Sequence, residues 1–137
     1  NNIQVDLTAG QIFNVLVVDD NSINQLITKK IIEKYNYKCT VVDSGLAALE
    51  MLDTLQFDVI LMDINMPVMN GFETTRRIRR KGINTSIIAL TAFDKEEISE
   101  EAIAAGINDI LIKPFAPALL VKTINQLIYK VAEGPLV

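Results

Sequence analysis

The chain has 137 residues, half of them hydrophobic, and a formal net charge of −4. This length suits one domain with a substantial core, and the acidic balance argues against nucleic acid as a direct partner. The sequence has no apolar run long enough to cross a membrane, its only cysteine (Cys39) excludes a disulfide within the chain, and the absence of histidine excludes imidazole chemistry of its own.

Strand and helix patterns alternate five times between two ends that we interpret as tails. The strands are predicted at residues 14–18, 38–42, 57–62, 86–90 and 109–112. The helices are predicted at residues 22–35, 45–55, 71–81, 95–105 and 116–132. This alternation predicts a parallel sheet with helices on both faces.

The ends of the chain carry weaker signals. Residues 1–13 lack periodicity and are predicted to be a tail or linker, residues 14–132 to form the domain, and residues 133–137 to be a second tail. The chain begins without Met, which we interpret as a piece of a longer polypeptide. No secretory signal is present, so we expect a cytoplasmic location.

Two helices have distinctive surfaces. In the first helix, apolar residues recur at helical spacing, which indicates one apolar face: Ile23, Leu26, Ile27 and Ile31. Asn21 or Ser22 is the predicted N-cap of that helix. The third helix ends in the basic run from Arg76 to Lys81, which we interpret as solvated charges at a helix C-terminus.

Four of the apolar strands deliver a polar group at their C-terminal ends. Asp19 and Asp20 follow the first strand, Asp63 the third, Thr91 the fourth and Lys113 the fifth. In an open parallel sheet these ends converge on one crevice. The sequence therefore predicts that three carboxylates, a hydroxyl and an ammonium group lie together.

Three carboxylates at reduced dielectric repel one another and remain ionised together only beside a cation. Carboxylate and carbonyl oxygens suit Mg²⁺, with Mn²⁺ as the alternative. Asp63 is the candidate nucleophile, because a carboxylate can attack phosphorus to form an acyl phosphate. Lys113 supplies a positive charge and Thr91 a hydrogen-bond donor for the phosphoryl oxygens.

These residues, with Met66-Pro67, Gly71, Ala92 and Pro114, are arranged as in a known family. The chain resembles the receiver domain of two-component response regulators over residues 14–132. The resemblance implies a flavodoxin-like (βα)5 sandwich with strand order 2-1-3-4-5. It also implies that Asp63 takes a phosphoryl group from a partner's phosphohistidine.

The resemblance assigns roles to further residues. Asp19, Asp20, Asp63 and the backbone carbonyl of Asn65 would form the Mg²⁺ site. Asn65 and Phe93 occupy positions that tune loss of the phosphoryl group to water. At the switch position, where receivers commonly carry Tyr or Phe, this chain has Ile110, so the aromatic readout of activation is missing.

The segment from Asp19 to Gln25 is most similar to receivers of hybrid histidine kinases. The implied partners are a histidine kinase dimerisation domain, a histidine phosphotransfer protein, or both. The domain would then be a self-catalysing phospho-acceptor that turns over no external substrate, whereas a parent hybrid chain would be a histidine kinase.

Alternatives remain at the level of sequence. The chain is either part of a hybrid kinase, a free-standing response regulator, or a pseudo-receiver that works without phosphorylation. A haloacid dehalogenase-like phosphatase would need a second aspartate where Asn65 stands. A flavodoxin-like cofactor binder would need a phosphate loop where the chain has Asp19-Asp20-Asn21, whose charge would repel a flavin phosphate.

Overall fold

The computed structural model describes residues 12–133. The tails predicted at residues 1–13 and 133–137 therefore lie almost entirely outside the described residues. The strands are β1 Asn14–Val18, β2 Lys38–Val42, β3 Val59–Asp63, β4 Ser86–Thr91 and β5 Asp109–Ile112. The helices are α1 Ser22–Lys34, α2 Gly45–Thr54, α3 Gly71–Arg80, α4 Lys95–Ala105 and α5 Pro117–Glu133.

The five strands form one parallel sheet in the order β2-β1-β3-β4-β5. The predicted flavodoxin-like fold and its strand order are confirmed. The chain reverses direction across the sheet after β2, so β1 and β3 lie side by side at its centre. In such a sheet the crevice at the carboxyl ends of these two strands is the expected binding site.

The core has two layers, one on each face of the sheet. Alternate residues of β1 and β3 enter different layers, because successive side chains of a strand point to opposite faces. Leu16 and Ile60 pack with α2, α3 and α4. Val15 and Leu61 pack with α1 and α5.

Most of the apolar stripe predicted on α1 faces away from the core, although its last member, Ile31, is partly buried against it. Ile23, Leu26 and Ile27 are 67%, 55% and 54% exposed, whereas the buried residues of α1 are Thr28 and Ile32. Thr28 directly follows Ile27 of the stripe, and Ile32 directly follows Ile31. Because consecutive residues of an α-helix are about 100° apart, the true core face is rotated by about 100° from the predicted one. Periodicity identified the apolar face correctly, but burial depends on which face meets the sheet.

Caps are present at the start of α1 and at both ends of α4, and the one at Asn21 was predicted. Asn21 caps α1, since its side chain accepts a hydrogen bond from the backbone N–H of Asn24 at 2.9 Å. Asp94 and Glu97 form a reciprocal capping box at the start of α4. Gly106 ends α4 with φ 103°, a left-handed conformation that favours glycine.

The basic run at the end of α3 is only partly solvated. Arg76, Arg77 and Arg80 pair with Glu73 and hold the pKa of its carboxyl at about 2. Arg79 differs from them, because its half-buried guanidinium donates to the carbonyls of Ile83, Thr85 and Gly106 and to the side chain of Asn108. The prediction of solvated charges is therefore wrong for Arg79, which joins the end of α3 to two loops.

Among residues 12–133, none of the helices has both the length and the apolar character needed to cross a membrane.

Candidate functional site

Three carboxylates meet where β1 and β3 end. Asp63 is the last residue of β3, and Asp19 and Asp20 directly follow β1. One carboxylate oxygen from each of the three lies within 4.8 Å of the other two. Asp19 and Asp63 are 1% and 4% exposed, whereas Asp20 is exposed. The two central strands thus bring together residues that are 43 positions apart in sequence, counting from Asp20 to Asp63.

Backbone donors hold the two buried carboxylates in place. The Asp19 carboxylate accepts the N–H of Asn21 at 2.9 Å, and the Asp63 carboxylate accepts the N–H of Asn65 at 3.2 Å. The N–H of Asp19 itself donates to the carbonyl of Val42 at 3.1 Å, which ties the β1–α1 turn to the neighbouring strand. The carboxylates are therefore oriented before any ligand arrives.

Lys113 brings the positive charge of the crevice. Its ammonium lies 3.4 Å from Asp63 Oδ1 and 3.9 Å from Asp19 Oδ2. The peptide bond between Lys113 and Pro114 is cis.

Burial raises the pKa of the Asp63 carboxyl above its usual range. The charge of Asp19 raises this pKa further, while Lys113 and the N–H of Asn65 lower it. Burial outweighs the single nearby cation, so the ionised form of Asp63 is short of stabilising charge. The crevice is suited to a second cation.

The donor set fits a hard divalent ion. Three carboxylates, two of them already oriented by backbone hydrogen bonds, supply the oxygen ligands that Mg²⁺ prefers, and the exposed Asp20 leaves one side open to water. Mg²⁺ usually retains several waters and needs only a few protein ligands. This small, open cluster matches that requirement.

The remaining predicted site residues differ in burial and in their contacts. Thr91 is fully buried at the end of β4, and its hydroxyl accepts the N–H of Phe93 at 3.0 Å. Asn65 is exposed, and Phe93 is 47% exposed. Ile110 is buried in the core layer that contains α4.

The segment from the end of β3 to the first residue of α3 has a constrained backbone. Gly71 packs so tightly that an added Cβ would lie 2.5 Å from the carbonyl oxygen of Asp63. Val68 has φ 70° and a fully exposed side chain. Glycine at position 71 was a sequence signal, whereas nothing in the sequence marks the backbone of Val68 as unusual.

An apolar groove of about 460 Å³ adjoins the crevice. Its walls are α1 and the segment that follows β5, and it shares Asp19 and Lys113 with the carboxylate cluster. Ile27, from the exposed stripe of α1, and Phe115 line it. The charged crevice therefore opens beside an apolar surface.

Comparison with known proteins agrees with this geometry. Residues 15–125 match the model of the response regulator receiver domain. Two-component response regulator 24 of Arabidopsis thaliana is 36% identical over 82% of this chain and 81% of its own length.

Two further relatives carry the same domain in sensor kinases. The autoinducer 2 sensor kinase/phosphatase LuxQ of Vibrio vulnificus is 42% identical over 77% of this chain, which corresponds to 12% of LuxQ. The solved receiver domain of a sensor histidine kinase from Pseudomonas aeruginosa is 35% identical, with a TM-score of 0.79 over 85% of this chain and 98% of that one. That structure has a magnesium ion coordinated in its active-site cleft.

Proposed function

Because the chain belongs to the response regulator receiver domains of two-component systems, we propose that Asp63 is its phospho-acceptor and that a partner's phosphohistidine is the donor. The observation that supports this most strongly is the position of Asp63: buried at the end of a central strand, between two other carboxylates and 3.4 Å from Lys113. Among residues 12–133 the only other buried carboxylate is that of Asp19, and the Lys113 ammonium lies farther from it, at 3.9 Å.

The transfer is a direct displacement. An oxygen of Asp63 attacks phosphorus, the bond from phosphorus to the histidine nitrogen breaks, and the nitrogen retains the electron pair. Phosphoryl transfer of this kind depends mainly on positioning and on neutralising charge. Lys113 contributes the positive charge, and the Thr91 hydroxyl contributes a hydrogen bond once it turns from its buried position towards the phosphoryl group.

A divalent cation belongs to this scheme. Asp19, Asp20, Asp63 and the backbone carbonyl of Asn65 would hold Mg²⁺, or Mn²⁺ in its place. When bound, the ion supplies positive charge that lets three carboxylates and a phosphoryl group share one crevice. Asn65 and Phe93, beside the opening, would set the rate at which water removes the phosphoryl group.

The first experiment is intact-mass measurement after incubation with acetyl phosphate, with and without Mg²⁺. The wild type should gain one phosphoryl group only when Mg²⁺ is present, and Asp63→Asn should gain none while keeping its fold. A phosphoryl adduct that still forms on Asp63→Asn would show that another residue is the acceptor. If the wild type forms neither an adduct nor a beryllium fluoride complex, the pseudo-receiver hypothesis replaces this proposal.

We assign the docking of the phosphohistidine-bearing domain to the exposed stripe of α1. The stripe begins at Ile23, three residues after Asp20, and its first three members are exposed. The adjoining groove opens onto Asp19 and Lys113. A donor histidine must reach Asp63 through this opening, so the surface around it has to match the donor's surface. An apolar stripe beside a charged crevice provides binding energy next to the reacting atoms.

Replacing residues of the stripe should slow phosphorylation by a protein donor but not by the small molecule acetyl phosphate. Leu26→Ser and Ile27→Ser should slow labelling by a phosphorylated histidine phosphotransfer protein about tenfold or more, because each removes apolar contact area. Neither should change labelling by acetyl phosphate, which needs no docking surface.

Ile103→Ser is the matched control, because Ile103 is 75% exposed but lies on α4, outside both the α1 stripe and the groove. The phosphotransfer protein is chosen for its ability to label the wild type. Equal slowing in Ile103→Ser, or no slowing in the α1 variants, would contradict the assignment.

We further propose that the chain is the receiver segment of a hybrid histidine kinase. The similarity to LuxQ, of which the chain spans 12%, supports this parent. The match along 81% of an Arabidopsis response regulator supports the free-standing alternative. Sequencing the complete reading frame distinguishes them: a kinase core in the same frame supports the hybrid, and its absence overturns it.

Activation in this chain would proceed without an aromatic switch. Ile110 is packed in the core layer beside α4 and has no ring to reorient when Thr91 moves. Phosphorylation would therefore be signalled through a surface that does not depend on an aromatic switch. We propose the surface of α1 for this role.

A further inference from the structure

Asp20 is the least constrained member of the carboxylate cluster. It is exposed, and among residues 12–133 its carboxylate accepts no hydrogen bond and forms no ion pair. Asp19 and Asp63, by contrast, are buried and each accepts a backbone N–H. The place of the Asp20 side chain is therefore set by its backbone alone.

That backbone is anchored through Asp19. The N–H of Asp19 donates to Val42 on β2, and the carbonyl of Asp19 accepts the side-chain amide of Gln25 at 2.6 Å. This carbonyl belongs to the peptide unit that joins Asp19 to Asp20, so the Gln25 amide fixes the plane from which Asp20 projects. Because the acceptor is a carbonyl oxygen, the donor must be the NH₂ group of Gln25.

The position of Gln25 is itself fixed by the helix that carries it. Its own N–H donates to the carbonyl of Asn21 at 2.9 Å, in the first turn of α1, and its side chain is partly buried. The amide therefore reaches the acidic turn from a rigid helix rather than from a loop. Residues that orient ligand-bearing groups in this way commonly change metal affinity when they are replaced.

We propose that Gln25 is a positioning residue for Mg²⁺ binding: through the Asp19 carbonyl it orients the peptide that carries Asp20. This inference rests on the proposed function, since it concerns the cation that function requires. It assigns no contact between Gln25 and the ion. It predicts that the first turn of α1 sets the cation affinity of the crevice.

The test compares Gln25→Met with wild type. Methionine is unbranched and of similar length, so it keeps the shape of the side chain but has no donor. Mg²⁺ affinity, measured by titration while following the amide resonances of residues 19–21, should fall about 3- to 10-fold. The concentration of Mg²⁺ that gives half-maximal labelling by acetyl phosphate should rise by the same factor, while the rate at saturating Mg²⁺ stays unchanged.

Gln126→Met is the control, because Gln126 is an exposed glutamine on α5, away from the acidic turn. It should leave Mg²⁺ affinity unchanged. Thermal unfolding of both variants in the presence of a chelator shows whether any loss of affinity follows from a general loss of stability.

The outcomes distinguish a failure of the proposed function from a failure of the role assigned to Gln25. Wild-type protein that binds no Mg²⁺ would overturn the proposed function itself. Wild-type binding with unchanged affinity in Gln25→Met would overturn only the role of Gln25. A weaker affinity that Gln126→Met reproduces, or a lower labelling rate at saturating Mg²⁺, would also count against positioning by Gln25.

Discussion

Val68 shows how a single residue can conflict with the local rules around a site. Its φ of 70° is unusual for a β-branched residue, and its side chain is fully exposed, so packing does not compensate. The left-handed conformation costs a non-glycine residue roughly 1–2 kcal/mol. The loop after Asp63 therefore stores strain close to the carboxylate cluster.

Replacing Val68 with asparagine should stabilise the fold. Asparagine tolerates the left-handed region and removes no buried contact, so the free energy of unfolding should rise by about 1 kcal/mol. Asn36→Val is the reverse control, because Asn36 is exposed and also has φ 70°. It should lower the stability by a similar amount in chemical denaturation. Equal stability of Val68→Asn and wild type would show that the loop carries no strain.

At the scale of elements, the start of α3 determines where the end of β3 lies. Gly71 donates its N–H to the carbonyl of Ile64 at 3.0 Å. An added Cβ would lie 2.5 Å from the carbonyl oxygen of Asp63 and 2.9 Å from Cα of Ile64. Both neighbours are backbone atoms and cannot rotate away. The helix can approach the end of β3 this closely only with glycine at this position.

Gly71→Ala should therefore damage both stability and labelling. The forced shift should lower the free energy of unfolding by about 1–3 kcal/mol and slow phosphorylation of Asp63 by acetyl phosphate at saturating Mg²⁺. Gly82→Ala is the control: Gly82 has φ 83° with no atom within 4 Å of an added Cβ. It should reduce stability through its backbone but leave the labelling rate unchanged. A normal labelling rate in Gly71→Ala would mean that the contact does not position Asp63.

For the whole molecule, the acidic crevice couples stability to pH and to Mg²⁺. The folded protein raises the pKa of Asp63 above its ordinary value of 3.8, so it holds a proton over a range in which the unfolded chain has lost it. In that range the unfolded state binds fewer protons, and stability falls as pH rises. Above the pKa of Asp63 in the folded state, the loss of folding stability is complete.

Asp63→Asn should therefore be more stable than wild type at neutral pH in the presence of a chelator, and the difference should shrink in acid as Asp63 becomes protonated. Mg²⁺ at ten times its dissociation constant should stabilise the wild type by about 1.4 kcal/mol and the variant by less. Thermal unfolding across pH, with and without Mg²⁺, measures both effects. A wild type that is more stable than Asp63→Asn at neutral pH without Mg²⁺ would contradict this electrostatic account.

The sequence by itself determined the elements and the membership of the crevice. Hydrophobic runs and turn residues are local signals, and polar residues at the ends of parallel strands must converge. Asp19, Asp20, Asp63 and Lys113 could therefore be grouped without coordinates. The order of the strands came with the family resemblance rather than from the pattern of apolar residues.

Only the tertiary structure decided which surfaces are buried and which polar groups find partners. The first three residues of the α1 stripe face outward because Thr28 and Ile32 meet the sheet instead, a choice that periodicity leaves open. Arg79 and Gln25 donate to carbonyls that belong to other segments of the chain. Such contacts depend on the relative placement of elements in space, and a local sequence pattern contains no information about that placement.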